Sequence, residues 1–113
     1  MRPILFIEPT RFPAPNQCEY TAVITCRCPE DHEIDIYSVR IVMDSPRRVP
    51  ELNALRSYLD QFSQDGHELY CEEIPHEIVD ALRPGEARRT AVTVSRSDER
   101  HGVHVSATAV AHG

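Results

Sequence analysis

The chain contains no lysine, and all twelve of its basic residues are arginine. This pattern indicates the coding bias of a high-GC or halophilic genome rather than a functional choice. Adjacent arginines occur only at Arg47–Arg48 and Arg88–Arg89, and the net charge is −6. A protein that follows a phosphate backbone needs a basic patch to gain from counterion release. We therefore expect no direct binding to DNA or RNA.

Long apolar runs are also absent. No stretch approaches the roughly 20 apolar residues that a membrane-spanning helix requires, and the apolar run near the start ends at Glu8 and Pro9. That run is too short, and wrongly flanked, for a signal peptide. We therefore expect no membrane association and a cytoplasmic protein, in which cysteines remain reduced thiols. The thiols are Cys18, Cys26, Cys28 and Cys71.

With 113 residues the chain has the usual size of one domain, although its core is small enough for oligomerisation to help. Residues 1–17 hold four prolines and are predicted to form an irregular N-terminal arm. Residues 18–113 are predicted to form the single domain.

The first strand pair is predicted from alternation. Apolar and polar residues alternate over 19–25 and again over about 33–43, with the period of two that is typical of strands. Within the second segment the apolar positions change face after Ile36. A phase switch of this kind predicts a β-bulge.

A second hairpin is predicted near the end of the chain. Its strands alternate over 90–94 and 103–109, with a loop at 98–102. The turn of the first hairpin is predicted at 29–32, where all residues are polar or proline.

Two helices are predicted between the hairpins. The first is expected between Pro50 and Gly66, from apolar residues at helical spacing at Leu52, Leu55, Leu59 and Phe62. The second is expected to begin near Cys71, with His67–Glu68 at its start, and to end at Pro84–Gly85. The order ββααββ predicts an α+β fold in which two helices cover one face of a four-stranded antiparallel sheet. The other face needs a cover, for which partner subunits are the obvious candidates.

The densest polar cluster surrounds Cys28, and three interpretations compete for it. Cys26 and Cys28 can be small buried residues beside a hairpin turn. A metal site is a weaker alternative, because no second cysteine or histidine pair stands at ligand spacing. The third interpretation is a nucleophilic thiol with Asp35 as its acid, seven residues further on. Spacing alone does not decide among them.

His67–Glu68 has two interpretations as well. An exposed pair of this kind is ordinarily a solvated helix terminus, where an acid favours the helix dipole. The functional alternative is a carboxylate that accepts two N–H bonds from a purine-like base.

Taken together, these segments resemble the QueF family of nitrile reductases, which convert 7-cyano-7-deazaguanine to its aminomethyl form. The resemblance runs from about Glu19 to Gly113. The family's cysteine–proline and later aspartate match Cys28, Pro29 and Asp35. Its further motifs match at Glu51, Leu52, Ala54, Leu55, Tyr58, Leu59, Phe62, His67, Glu68, Arg100 and Gly102.

The resemblance implies the tunnelling fold and a role for each matched residue. Cys28 would attack the nitrile carbon to form a thioimide, and Asp35 would protonate the nitrogen. His67 would assist proton transfer, and Glu68 and Glu51 would bind the deazapurine base. The resemblance also implies a homo-oligomer with active sites at subunit interfaces, and no metal.

NADPH is the cofactor that the resemblance implies, held by Asn53, Ala54, Arg56 and Arg100. Two departures affect this expectation. Arg56 replaces a family lysine, which the lysine-free composition explains, and it can still hold a phosphate. Asn53 replaces another lysine and removes a positive charge. The reductase is therefore favoured narrowly over the related QueF-like amidinotransferases, which add ammonia to the same thioimide without NADPH. A non-catalytic protein that binds a purine-like or pterin-like base is the third alternative.

Overall fold

The computed structural model describes residues 2–10, 13–64 and 66–113. Its main sheet has four strands, which are β2 (Gln17–Arg27), β3 (Ile34–Asp44), β5 (Arg89–Asp98) and β6 (Val103–His112). They lie side by side in the order β2–β3–β5–β6, and every neighbouring pair is antiparallel. The α+β fold with a four-stranded antiparallel sheet is thus confirmed.

Two helices lie between the hairpins in sequence and cover one face of the sheet. They are α1 (Leu52–Asp60), which continues into a 3-10 turn at Gln61–Ser63, and α2 (Ile74–Ala81), followed by a 3-10 turn at Arg83–Gly85. The predicted helices are longer than the observed ones. Pro75 lies in the first turn of α2, where a missing N–H costs little.

The arm predicted as irregular contains a short strand. β1 (Phe6–Ile7) pairs with β4 (Val49–Pro50) in a separate two-stranded sheet. Pro50 therefore lies in a strand before α1, and the prediction that it opens the helix is wrong.

The predicted β-bulge is also wrong. The β2–β3 register runs without interruption from Gln17 opposite Asp44 to Arg27 opposite Ile34. Ile34 and Ile36 lie on the face away from the helices, and their relative exposures are 56% and 65%. The change of pattern therefore reflects apolar residues on the outer face, and the strand itself is regular.

The core lies between the sheet and the helices. Each strand contributes alternate residues to it, and both helices add an apolar stripe. Its largest fully buried side chains include Phe62, Ile41, Met43, Leu59, Ile74 and Ile78.

Candidate functional site

The six residues 28–33 connect β2 to β3, and Cys28 is the first of them. The Cys28 N–H donates to the Glu33 carbonyl at 2.8 Å, and the His32 N–H donates to the Cys28 carbonyl at 2.9 Å. Cys28 is half-buried, and Asp31 lies in the same loop. The Glu33 N–H, 3.0 Å from Asp31 Oδ1, and then the Cys28 thiol hold the pKa of the Asp31 carboxyl below its usual value. Two main-chain hydrogen bonds thus fix the backbone of Cys28 at the end of the sheet.

The other thiols are less suited to chemistry at this end. Cys26 and Cys71 are buried, and burial raises the pKa of both thiols, which disfavours the reactive thiolate. Cys18 lies near the opposite end of β2, opposite Met43. Cys28 is therefore the partly exposed thiol at the end of the sheet where the acids cluster.

Asp35 lies at the same end of the sheet, opposite Cys26 in the β2–β3 ladder. Arg96 of β5 places Nη1 at 3.6 Å from Asp35 Oδ1 and Nη2 at 3.4 Å from Asp98 Oδ2. Its guanidinium also lies over the Tyr37 ring, 5.9 Å from the centroid. Burial acts to lower the pKa of Arg96, but the Asp35 carboxylate and Tyr37 outweigh it, so the pKa is raised. Asp35 is thus held by a charged partner.

Sequence reasoning overlooked Arg96. The signal was present, because Arg96 continues the alternation of Thr90, Val92 and Val94, which face the core. A charged residue at a core-facing position requires a partner of opposite charge nearby.

His67 and Glu68 lie in an extended segment before α2, so the prediction that they start the second helix is wrong. Glu68 forms an isolated parallel bridge with Arg27, the residue before Cys28. Its Oε1 lies 2.8 Å from His32 Nδ1 in the Cys28 loop. The His67 ring packs edge-on against Phe62 at 5.3 Å between centroids. The structure therefore brings Glu68 to the Cys28 loop.

Tyr70 adds a second contact between this segment and the loop. Its hydroxyl donates to Glu30 Oε1 at 2.7 Å, and this bond raises the pKa of Tyr70. Arg100, in the β5–β6 loop, places Nη2 at 3.7 Å from Glu33 Oε2. Five predicted site residues therefore gather at one end of the sheet, namely Cys28, Asp35, His67, Glu68 and Arg100.

The remaining predicted site residues lie on α1. Glu51 caps this helix, and its carboxylate accepts from the N–H groups of Asn53 at 3.0 Å and Ala54 at 2.8 Å. Arg56 donates to the Val23 carbonyl at 3.2 Å and pairs with Asp60 at 2.8 Å. Val23 precedes Cys28 by five residues of mostly extended chain, which span about 16 Å. Within one chain, Arg56 thus contacts the middle of β2 rather than the end that precedes Cys28.

The Cys28 cluster lies on an open end of the sheet. Glu30, His32 and Glu33 are all exposed. A concavity of about 540 Å³ lies at the opposite end instead, lined by residues such as Arg88 and His112. The thiol, the Arg96-paired Asp35 and Glu68 meet at the Cys28 end and not at this concavity.

In the described part of the chain, no group of three or more histidine, cysteine, aspartate or glutamate side chains is arranged to hold a metal ion. None of the described helices is long and apolar enough to cross a membrane.

Comparison with known proteins supplies the family. No protein-family model matches the chain. An NADPH-dependent 7-cyano-7-deazaguanine reductase from Thermomicrobium roseum is 33% identical over 90 residues, which are 79% of this chain and 68% of that protein. The crystal structure of an archaeosine synthase QueF-Like in the apo form superposes with a TM-score of 0.77 at 19% identity. The match covers 88% of this chain and 96% of that one, and it confirms the predicted tunnelling fold. The chain belongs to the family of QueF and QueF-like proteins.

Proposed function

We propose that this protein is a nitrile reductase that acts on 7-cyano-7-deazaguanine through a covalent thioimide at Cys28. The observation that carries the proposal is the meeting of three groups at one end of the sheet. They are a partly exposed thiol, Asp35 with its paired arginine, and the Glu68 carboxylate. The 33% identity to a 7-cyano-7-deazaguanine reductase supports the choice of substrate and of reaction.

Recognition of the base is assigned to Glu68. A carboxylate can accept two N–H bonds from the amidine edge of a guanine-type base. Oε1 of Glu68 is already held by His32, while the side chain remains about one third exposed. Glu68 therefore offers an oriented acceptor beside the loop that carries the nucleophile. His67, fixed against Phe62, is the candidate for orienting the base or assisting proton transfer.

The covalent step consumes one nitrile π bond. The sulfur of Cys28 forms a bond to the nitrile carbon, and the nitrile nitrogen gains a proton from Asp35. The proton of the Cys28 thiol replaces the one that Asp35 donates, so the carboxyl group is regenerated, the product is a neutral thioimide, and no proton is gained or lost overall. Arg96 orients the Asp35 carboxyl group for this transfer.

NADPH would supply two hydrides in succession, which together with two protons would convert the thioimide to the aminomethyl product, with cleavage of the C–S bond and release of the Cys28 thiol. Arg56 and Arg100 fit the role of phosphate ligands, since the charged partner of each is an exposed carboxylate that binds weakly. The N–H groups of Asn53 and Ala54 fit it less well, because the Glu51 carboxylate already occupies them. The substrate-binding role expected for Glu51 would require it to leave this cap.

A QueF-like amidinotransferase is the second candidate. The capped N-terminus of α1 and the neutral side chain of Asn53 favour it, because both reduce the affinity of α1 for an anionic cofactor. In that reaction ammonia attacks the thioimide carbon, the C–S bond breaks, and the Cys28 thiolate leaves with formation of an amidine.

We also propose a homo-oligomer in which a second subunit completes the site. The Cys28 end of one chain is open, and the outer face of the sheet exposes Val23 and Ile36. A partner that covers these surfaces would enclose the base and could bring Arg56 of another chain towards Arg100.

The test is turnover of 7-cyano-7-deazaguanine in parallel reactions with NADPH and with ammonia. Loss of NADPH absorbance with formation of the aminomethyl base is the expected result. An amidine product formed with ammonia and without NADPH would replace the reductase by the amidinotransferase. A base that binds but never reacts would identify a non-catalytic binding protein.

A further inference from the structure

His32 has a backbone conformation that ordinarily belongs to glycine. Its φ is +61°, in the left-handed region, where a Cβ atom is strained and only a few per cent of non-glycine residues are found. The loop itself requires this conformation. The chain must reverse at His32 so that the N–H of Cys28 can reach the carbonyl of Glu33. A positive φ at the last position of a short hairpin loop is a common solution, and glycine is the usual residue there.

The second hairpin at the same end of the sheet provides an internal comparison. Four residues lie between the paired Asp98 and Val103, and the last of them is Gly102 with φ +64°. In the first hairpin four residues lie between the hydrogen-bonded Cys28 and Glu33, and the last of them is His32. The two corresponding loop positions therefore share a positive φ, with glycine in one hairpin and histidine in the other. Histidine is one of the few non-glycine residues that this region tolerates, but glycine suits it better, so the contacts of the histidine side chain are the place to look for its role.

The side chain of His32 reaches Glu68. Nδ1 lies 2.8 Å from Oε1, although the histidine side chain is 65% exposed. An exposed pair of this kind contributes little to stability. A gain in stability therefore does not explain why a strained residue stands at this position. The contact does, however, fix the plane of the Glu68 carboxylate beside the loop that carries Cys28. Backbone strain that is retained at a site is a recognised pointer to function.

We propose that His32 is a positioning residue for base recognition: by holding Oε1 of Glu68, it aims the other carboxylate oxygen at the N–H groups of the bound base. This inference rests on the proposed function, because it takes Glu68 as the base-binding group. It predicts that His32 affects the affinity for the base and leaves the covalent step at Cys28 unaltered.

Three substitutions distinguish the effect of the His32 side-chain contact from the effect of its backbone conformation. His32→Gly suits the positive φ and removes the contact. His32→Asn tolerates the same φ and places its amide nitrogen the same number of bonds from the backbone as Nδ1. His32→Gln carries the same amide one bond further from the backbone. It is therefore the matched control for the distance at which the amide nitrogen must lie to contact Glu68.

Affinity is measured with 7-cyano-7-deazaguanine by calorimetry, in the Cys28→Ala background so that no covalent step intervenes. His32→Gly is expected to weaken binding about threefold to tenfold, the loss that corresponds to one hydrogen bond. His32→Asn should recover most of the affinity, and His32→Gln should not. The thermal midpoint of His32→Gly should stay at or above that of the parent protein, because the strain is relieved.

The outcomes distinguish the two proposals. Absence of any base binding in the Cys28→Ala protein would count against the proposed function itself. Normal binding that His32→Gly leaves unchanged would overturn the role of His32 alone. Tighter binding in His32→Gly would also overturn it, because His32 would then compete with the base for Glu68. A lower thermal midpoint with unchanged affinity would make His32 a structural residue.

Discussion

Replacement of Glu51 by alanine removes the N-cap of α1. The lost contacts are the two bonds from its carboxylate to the N–H groups of Asn53 and Ala54, at 3.0 and 2.8 Å. Loss of an N-cap side chain costs about 1 kcal/mol, within a range of about 0.5–2 kcal/mol. Because α1 contributes Leu55 and Leu59 to the core, we expect the cost to appear in global unfolding. With an m value of about 2 kcal/mol/M, the urea midpoint should fall by about 0.5 M.

Glu51→Ser is the matched control, because serine is among the preferred N-cap residues and accepts from the same N–H groups. Its urea midpoint should lie close to that of the wild-type protein, with an unchanged m value. Equal loss of stability in both variants, or none in Glu51→Ala, would refute the capping role.

The serine variant also tests the binding role expected for Glu51. It keeps the helix capped but removes the carboxylate. If Glu51 also contacts the base, Glu51→Ser should have near wild-type stability and a raised KM. If KM is unchanged, Glu51 acts as a cap alone.

Two further predictions concern Arg96 and the buried tyrosines. Arg96→Gln should slow formation of the covalent adduct about tenfold or more, because Asp35 loses the partner that orients it. Arg96→Lys should recover part of the rate. Arg89→Gln, at the other end of the same strand, should form the adduct at the wild-type rate. A normal rate in Arg96→Gln would contradict this role. Burial raises the pKa of Tyr37 and Tyr58 above the ordinary 10.0, so folding favours their neutral forms. The stability that this shift contributes is present below about pH 10 and is lost as the pH rises above it. A thermal midpoint that does not fall as the pH rises above about 10 would contradict the raised pKa of the two tyrosines.

Much of the fold could be predicted from periodicity. Strands β2, β3, β5 and β6 alternate clearly, and the helices carry apolar stripes, so the order ββααββ followed directly. The bulge was a wrong prediction because Ile34 and Ile36 were assumed to face the core, although they lie on the outer face. Alternation reveals which residues share a face, but it does not reveal which face a partner covers.

The site could be predicted less completely. Cys28 and Asp35 were found through a motif, and the structure places them at one end of the sheet. Arg96, whose ion pair joins strands β3 and β5, depends on a register that local patterns do not give. The contact between His32 and Glu68 spans 36 residues and depends on a segment that was wrongly expected to be helical. Long-range pairs of this kind are set by tertiary structure.

The most direct test of the account is the mass of the intact protein after incubation with 7-cyano-7-deazaguanine alone, without NADPH or ammonia. The wild-type protein should gain the mass of one base per chain. Cys71→Ala, which removes a buried thiol, should gain it as well, and Cys28→Ala should not. An adduct that persists in Cys28→Ala, or a wild-type protein that forms none, would contradict the assignment of Cys28 as the nucleophile.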